Sequence, residues 1–370
     1  MENNNNITII GIGKLGLGFA LLLEKNGFNV CGVDINDKYV KQINSKQLFS
    51  QEPQYNDLLK NSTRFQATTS LEYGLSFSNT IFIIVQTPNC GGTKFYDHTI
   101  LSNLLININN IQPINKNIII GCTVMPKYID EIGIELIKNC KNTFLSYNPE
   151  FVAQGEIIHG FKNPDIILIG TTNPLLKPIL ENIYSKISIN NPQYFVLSPL
   201  DAEIVKITIN SFITTKIAFA NTISDLCDVM GANKFNVLKA VGTDSRINPK
   251  YFNPGYSFGG PCFPRDTKAM KLLLNNHKIP SDILDGTIVS NEEHVTFQTS
   301  QLLKTNLDEY IIENICYKEN SLVPIIEESA KLKIAKQLHE NKKHVIIKDI
   351  PELLLEVKKE YGNIFEYHEK

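Results

Sequence analysis

Residues Ile7 to Ile10 are β-branched and mostly apolar, and the hexapeptide GIGKLG, Gly11 to Gly16, follows them directly and leads into the helical pattern LGFALLLEKNG. A strand that ends on three glycines at this spacing and turns at once into a helix has few destinations. Gly11 permits the tight turn, Gly13 lets the backbone approach a pyrophosphate, Gly16 lets helix and strand close on each other, and the first N–H groups of the helix face the anion. Asp34 ends the next apolar run, NVCGVDIN, close to the spacing of about twenty residues at which a carboxylate bonds a ribose 2′-hydroxyl and repels a 2′-phosphate. The stretch predicts a dinucleotide site that takes NAD rather than NADP, built from Gly11, Ile12, Gly13, Lys14, Leu15, Gly16 and Asp34. The plainer alternative, glycines that only pack a helix on a sheet, has strand, helix and acid in register against it.

Further strands are expected at TIFIIVQTP, NIIIGCTV, TFLSYNPEF and DIILIG, with helices in several of the intervals. That alternation predicts a doubly wound, mostly parallel sheet. The pattern changes at Ser198, where SPLDAEIVKITINSFITTKIAFANTISDLCDVMG opens with a helix start signal, keeps helical periodicity for about thirty residues and stops at Gly231. Shorter helices are expected near Phe235 to Val241 and from Asp266 onward, and a smaller strand-helix-strand unit closes the chain. The expected domains are 1–197, 198–285 and 286–370.

With 370 residues, 42% of them hydrophobic, the chain has ample material for packed cores. Its 36 Lys plus Arg against 38 Asp plus Glu leave no electrostatic footprint for nucleic acid or an anionic membrane. The amino-terminal residues carry no signal-peptide pattern and no apolar run reaches membrane-spanning length, so a cytoplasmic protein is expected. The seven cysteines show no CxxC spacing, which argues against a disulfide framework and against zinc; no metal site is expected.

One cysteine stands apart. NPGYSFGGPCFPRD, Asn253 to Asp266, is too rich in glycine and proline for a helix or a central strand, so it reads as a shaped loop around Cys262. A substrate, a metal, a disulfide partner or a bare tight turn could each account for such a loop. The other six cysteines read as buried, inert thiols. A thiol fixed beside a carbonyl can add to it as a thiohemiacetal, which a second hydride loss turns into a thioester that water opens. That chemistry converts an alcohol to a carboxylic acid with two equivalents of NAD.

GIGKLG with Asp34, QEP at Gln51 to Pro53, VQTP with Thr87, GCTVMP with Thr123, NPEFVAQG with Glu150, EIVKITIN with Lys206 and Asn210, and GYSFGGPCFPRD with Cys262 and Asp266 occur in this order. Together they resemble the UDP-glucose/GDP-mannose dehydrogenase family from Ile7 to about Met270, most closely its UDP-glucose 6-dehydrogenases. The resemblance implies a Rossmann-like first domain, a helical centre and a Rossmann-like last domain, with a homodimer formed around the long helix. It implies Cys262 as covalent nucleophile, Lys206 as oxyanion stabiliser, Asn210 as a sugar contact, and Asp266 as the group ordering the proton relay. Thr123 would orient a water beside the nicotinamide and Glu150 would be the hydrolytic base, while Thr87 and Thr123 join the cofactor contacts. Phe151, Gln154, Arg246, Tyr251, Phe258, Gly259 and Lys318 are expected on the substrate side. The implied reaction is four-electron oxidation of the C6 hydroxymethyl of a nucleotide sugar, with UDP-glucose first and GDP-mannose or a UDP-N-acetylhexosamine as rivals.

Three residues or segments depart from the pattern. Gln154 stands where a second glutamate is frequent, Arg265 where a lysine follows CFP, and IIENICYK lacks the usual glycine-rich opening before the YK dipeptide. Gln154 and the short carboxyl-terminal unit together keep open a catalytically dead sugar-nucleotide binding protein. A one-hydride dehydrogenase of the hydroxyacid or 6-phosphogluconate type shares the paired-domain plan but needs no thiol, and NADH stoichiometry separates it.

Overall fold

The computed structural model describes residues 5–318 and 323–370. Chain contacts divide it into two compact units, Met1–Lys206 and Ile207–Lys370, and the division falls inside the helix Pro199–Met230.

The first unit is built on eight strands: β1 (Asn6–Ile10), β2 (Asn29–Val33), β3 (Phe65–Thr68), β4 (Thr80–Ile83), β5 (Asn117–Ile120), β6 (Phe144–Tyr147), β7 (Ile166–Gly170) and β8 (Gln193–Leu197). Their order in the sheet is β3-β2-β1-β4-β5-β6-β7-β8. Every pairing is parallel except β6 with β7, which meet antiparallel at Tyr147 and Gly170. The chain runs outward from β1 to β3 and then returns to place β4 on the other side of β1. The carboxyl ends of β1 and β4 therefore flank the switch point where doubly wound sheets bind ligands.

Helix Lys14–Lys25 shows why β1 leads where it does. Leu17, Phe19, Ala20, Leu21, Leu22 and Leu23 are all buried, so this helix is apolar nearly all round and must be sandwiched. Phe19 stacks on Phe161 at 4.8 Å between ring centroids and meets Phe82 edge-on at 5.1 Å, joining the helix to β4 and to the helix Ile157–Lys162. Each buried Leu or Phe here contributes about 1.5–3 kcal/mol of burial, so the glycine turn rests on a well-packed core.

The second unit carries the rest of the long helix, the helices Lys234–Thr243, Phe263–Asn276 and Asp282–Lys304, and a parallel sheet in the order β11-β10-β9. Its strands are β9 (Glu309–Glu313), β10 (His344–Asp349) and β11 (Glu366–Glu369), with helices Ala330–Glu340 and Pro351–Tyr361 as crossovers. Val345, Ile347, Leu332, Leu338 and Val357 fill its core.

The structure corrects two expectations. The loop around Cys262 ends sooner than its proline content suggests, because the helix Phe263–Asn276 starts directly after Cys262 with Pro264 in its first turn. Proline is tolerated there, since the N–H it lacks has no partner in a first turn. Cys90 is not buried. It lies exposed beside the turn at Gly91 and Gly92, both at positive φ, and its Sγ donates to Asp97 Oδ2 at 3.4 Å. That acid neighbour, ahead of desolvation, raises the thiol's pKa and keeps it in its unreactive protonated form.

Candidate functional site

Gly11 has φ +88°, and a Cβ there would lie 2.4 Å from the carbonyl oxygen of Ile84, just beyond β4. A Cβ on Gly16 would lie 2.0 Å from the carbonyl oxygen of Gly11 itself, so helix and turn close only with glycine at both ends. Gly13 is different. Nothing lies within 4 Å of its Cβ position, so neither packing nor φ demands a glycine there. The helix Lys14–Lys25 begins at this residue with no side-chain cap and no acidic residue in its first turn. Uncapped N–H groups beside open backbone fit a pyrophosphate. Ile12 is buried and packs against Gly32 of β2, Leu15 packs on the core, and Lys14 reaches Gln154 Oε1 at 3.5 Å. Asp34 is half-buried just past β2, and its Oδ1 accepts from the Asn36 N–H at 3.0 Å, which fixes the carboxylate at the strand end.

The loops after β4 and β5 are joined by Thr87, whose Oγ1 donates to the carbonyl of Thr123 at 2.9 Å. Beyond β6, the segment NPEFVAQG is anchored at both ends. Asn148 accepts from the Tyr184 hydroxyl at 2.7 Å and donates to the Leu168 carbonyl, while both carboxylate oxygens of buried Glu52 accept the Gly155 N–H at 2.8 and 3.0 Å. Between these anchors stands Glu150, whose Oε2 is buried with no hydrogen-bond partner. Desolvation pushes its carboxyl above the ordinary carboxylate range, and the nearby Lys206 ammonium opposes that shift without cancelling it. Lys206 Nζ donates to the main-chain carbonyl of Glu150 and lies 4.4 Å above the Phe151 ring. Lys206 is itself buried, as its apolar neighbours in the sequence suggest.

Two further carboxylates escaped the sequence reading as site residues. Glu52, within the QEP motif, holds Gly155. Glu203, one turn before Lys206 and fully buried, accepts the N–H groups of Lys127 at 2.6 Å and Ile129 at 2.9 Å. Burial, outweighing those bonds, pushes Glu203 up to about 7. A buried acid in an apolar helical run was the available signal, but its partners lie more than seventy residues away.

In the second unit, Cys262 is exposed and occupies the cap position before Phe263. Its carbonyl accepts the N–H of Asp266 at 2.8 Å, so thiol and carboxylate stand one turn apart. Asp266 is buried, and its Oδ2 accepts from Asn210 Nδ2 at 2.6 Å. Arg265 Nε lies 3.8 Å from the other oxygen. The structure thus brings Cys262, Asp266 and Asn210 into one cluster. Phe258 is buried, with its backbone bonded to Asn291. Gly259 is packed so that a Cβ would lie 2.2 Å from the Glu328 carbonyl oxygen, and at Gly260 it would meet the Tyr317 ring at 2.4 Å. Arg246 is exposed and paired with Asp244 at 2.7 Å, away from this cluster's bonds. Tyr251 sits at φ +62° with its ring 6.2 Å from that of Phe263, and Lys318 is half-buried.

No helix of the described residues is long and apolar enough to cross a membrane, and no three His, Cys, Asp or Glu side chains among them gather as a metal site.

A doubly wound sheet with an open glycine turn at its switch point and an acid after β2 defines a dinucleotide-binding domain, and its match to a dehydrogenase family's NAD binding domain makes the chain an NAD-dependent dehydrogenase. The chain belongs to the UDP-glucose/GDP-mannose dehydrogenase family, whose NAD binding domain matches residues 5–188 and whose central domain matches residues 200–293. It is a nucleotide-sugar dehydrogenase. It is similar to the UDP-glucose 6-dehydrogenase of Rickettsia prowazekii, with 33% identity over 293 residues, covering 78% of this chain and 67% of that one. The Campylobacter jejuni UDP-glucose 6-dehydrogenase is 28% identical over 319 residues, 85% of this chain and 79% of that protein. A UDP-glucose dehydrogenase from Pyrobaculum islandicum shares the fold with a TM-score of 0.87 at 24% identity, over 99% of this chain and 86% of that one.

Proposed function

We propose that this chain oxidises the C6 hydroxymethyl of UDP-glucose to the carboxylate of UDP-glucuronate in the cytoplasm. The observation that carries the reading is the cluster of the second unit, an exposed Cys262 at a helix start with Asp266 one turn on, bonded to Asn210. NAD, when bound, supplies the hydride acceptor for each oxidation. After the first oxidation the Cys262 sulfur adds to the aldehyde carbon and the oxygen takes a proton, giving a thiohemiacetal. Loss of that proton and a second hydride leaves a thioester, and water then releases the acid and restores the thiol. Lys206 carries the positive charge that the developing oxyanions need. Glu150, whose Oε2 is buried and without a partner, accepts the proton of the hydrolytic water, which Thr123 helps to place. Asp266 orders the protons around the thiol through Asn210.

In the same proposal residues 1–197 hold NAD, 198–285 carry the chemistry and 286–370 face the nucleotide, with Phe151, Gln154, Arg246, Tyr251, Phe258, Gly259 and Lys318 on the substrate side. The similarity to named UDP-glucose 6-dehydrogenases supports the choice of sugar. A homodimer is supported by Phe212, Phe219 and Leu226, each more than half exposed and recurring every seventh residue along the long helix. A monomer in sedimentation velocity would end that part of the reading.

A panel of UDP- and GDP-sugars with NAD is expected to give the highest turnover on UDP-glucose and two NADH per sugar. One NADH per sugar, or no turnover on any of them, would overturn the four-electron reading. Asp34→Ala is expected to weaken NAD binding by about 1–3 kcal/mol, because the ribose hydroxyl loses its acceptor. It should also relax discrimination against NADP. Titration of both cofactors checks this, and unchanged affinities would remove Asp34 from the site.

A further inference from the structure

The segment that leads to Cys262 has no sheet or helix to satisfy its backbone, so side chains must do it. Gly255 N–H donates to Asn221 Oδ1 at 3.1 Å, and Asn221 Nδ2 returns a bond to the Tyr256 carbonyl at 3.2 Å. Ser257 Oγ donates to the Asn291 carbonyl at 2.6 Å, and the Asn291 amide holds both the N–H and the carbonyl of Phe258. The Gly255 carbonyl accepts from Gln298 at 3.1 Å and from His294 Nε2 at 2.8 Å. The other nitrogen of that ring, Nδ1, lies 2.8 and 2.9 Å from the two carboxylate oxygens of Asp225. Asn221, Asn291 and His294 are all buried.

Neither a backbone carbonyl nor a carboxylate can donate. A ring between the two makes both bonds only with a proton on each nitrogen, as an imidazolium. Asp225 and Asp228 on the long helix and Glu313 on β9 line the pocket beside the ring, together with Lys234 and Lys331 from the two neighbouring helices, and Lys234 is itself paired with Asp228 at 2.7 Å. None of these groups has a role in the proposed chemistry. A neutral ring would leave one of the two bonds unmade in a buried setting.

We propose that His294, donating from both ring nitrogens to Asp225 and to the Gly255 carbonyl, is a positioning residue that fixes the backbone approaching Cys262 in its reactive arrangement. The proposal rests on the reading of Cys262 as nucleophile. It acts through the loop and touches no substrate.

The test uses the full chain. Nitrogen-15 NMR of the parent is expected to show both His294 ring nitrogens protonated under assay conditions. His294→Leu, which keeps bulk and removes both donors, is expected to lower kcat about tenfold, the scale of a modest misplacement of reacting groups. KM for NAD and for UDP-glucose should stay within about twofold, as for an interaction felt only in the transition state. Hydrogen exchange should quicken in the peptide spanning Gly255 to Cys262 and not elsewhere. His294→Gln, whose amide still offers two N–H groups, should recover most of the rate. Asp225→Asn should repeat the loss, and it decides the matter together with His294→Gln should the leucine variant not fold. A single ring N–H in the parent, full kcat in Asp225→Asn, or exchange that rises throughout the chain overturns the proposal. A chain inert toward every sugar nucleotide would sink the proposed function alone, and the NMR and exchange measurements would still decide on His294.

Discussion

Cys262→Ser is expected to end acid formation, lowering NADH release with UDP-glucose by at least about 10³-fold, because a serine hydroxyl is a far weaker nucleophile and leaves the second oxidation without a covalent intermediate. Binding of NAD and of the sugar nucleotide should be nearly unchanged. The substitution exchanges sulfur for oxygen at an exposed cap position. A trace of first-stage oxidation should survive. Stopped-flow absorbance reads both NADH steps, and isothermal titration reads binding. Two NADH per sugar at near the parent rate would eliminate the thioester route, and with it the role of the loop around Cys262.

Glu150→Gln is expected to block the last step and leave the earlier ones partly working. General-base assistance is commonly worth about 10² to 10⁴ in rate. Covalent enzyme should then accumulate, and intact-protein mass spectrometry should find an adduct of sugar-nucleotide mass that vanishes when Cys262 is replaced as well. The pH dependence follows from the upward shift of Glu150. A base must be ionised to accept a proton, and desolvation makes ionisation harder. Hydrolysis in the parent should therefore fall as pH drops, beginning above the ordinary carboxylate range, and the glutamine variant should lack that limb. Gln154→Glu, by contrast, should change turnover only modestly, because Gln154 meets Lys14 at the glycine turn. Normal hydrolysis with no adduct in Glu150→Gln, or activity gained by Gln154→Glu in an otherwise dead chain, would transfer the base elsewhere.

Much of the fold is legible locally. A strand ending on GIGKLG, the long periodic run up to Gly231 and the strand-helix-strand close each announce themselves within a few consecutive residues. What escaped are β3 and β8. The tetrapeptide FQAT alternates apolar and polar but is only four residues long, and β8 leaves all of its residues exposed or half-exposed, so neither carries the pattern that marks a buried strand. The terminal helix Pro351–Tyr361 and β11 were likewise not separated from the end of the chain.

The sequence by itself determined the order of most of the elements, the dinucleotide turn, and the cysteine loop with its aspartate one turn on, because glycine, proline and apolar periodicity restrict the backbone within a few residues of where they stand. Only the tertiary structure decided which groups lose water and which partners they then find. It sets Glu52 on an N–H 103 residues away, leaves Oε2 of Glu150 buried and unpaired, exposes Cys90, and places His294 between Asp225 and Gly255. Burial and long-range hydrogen bonding depend on how distant segments pack, and no stretch of neighbouring residues encodes that.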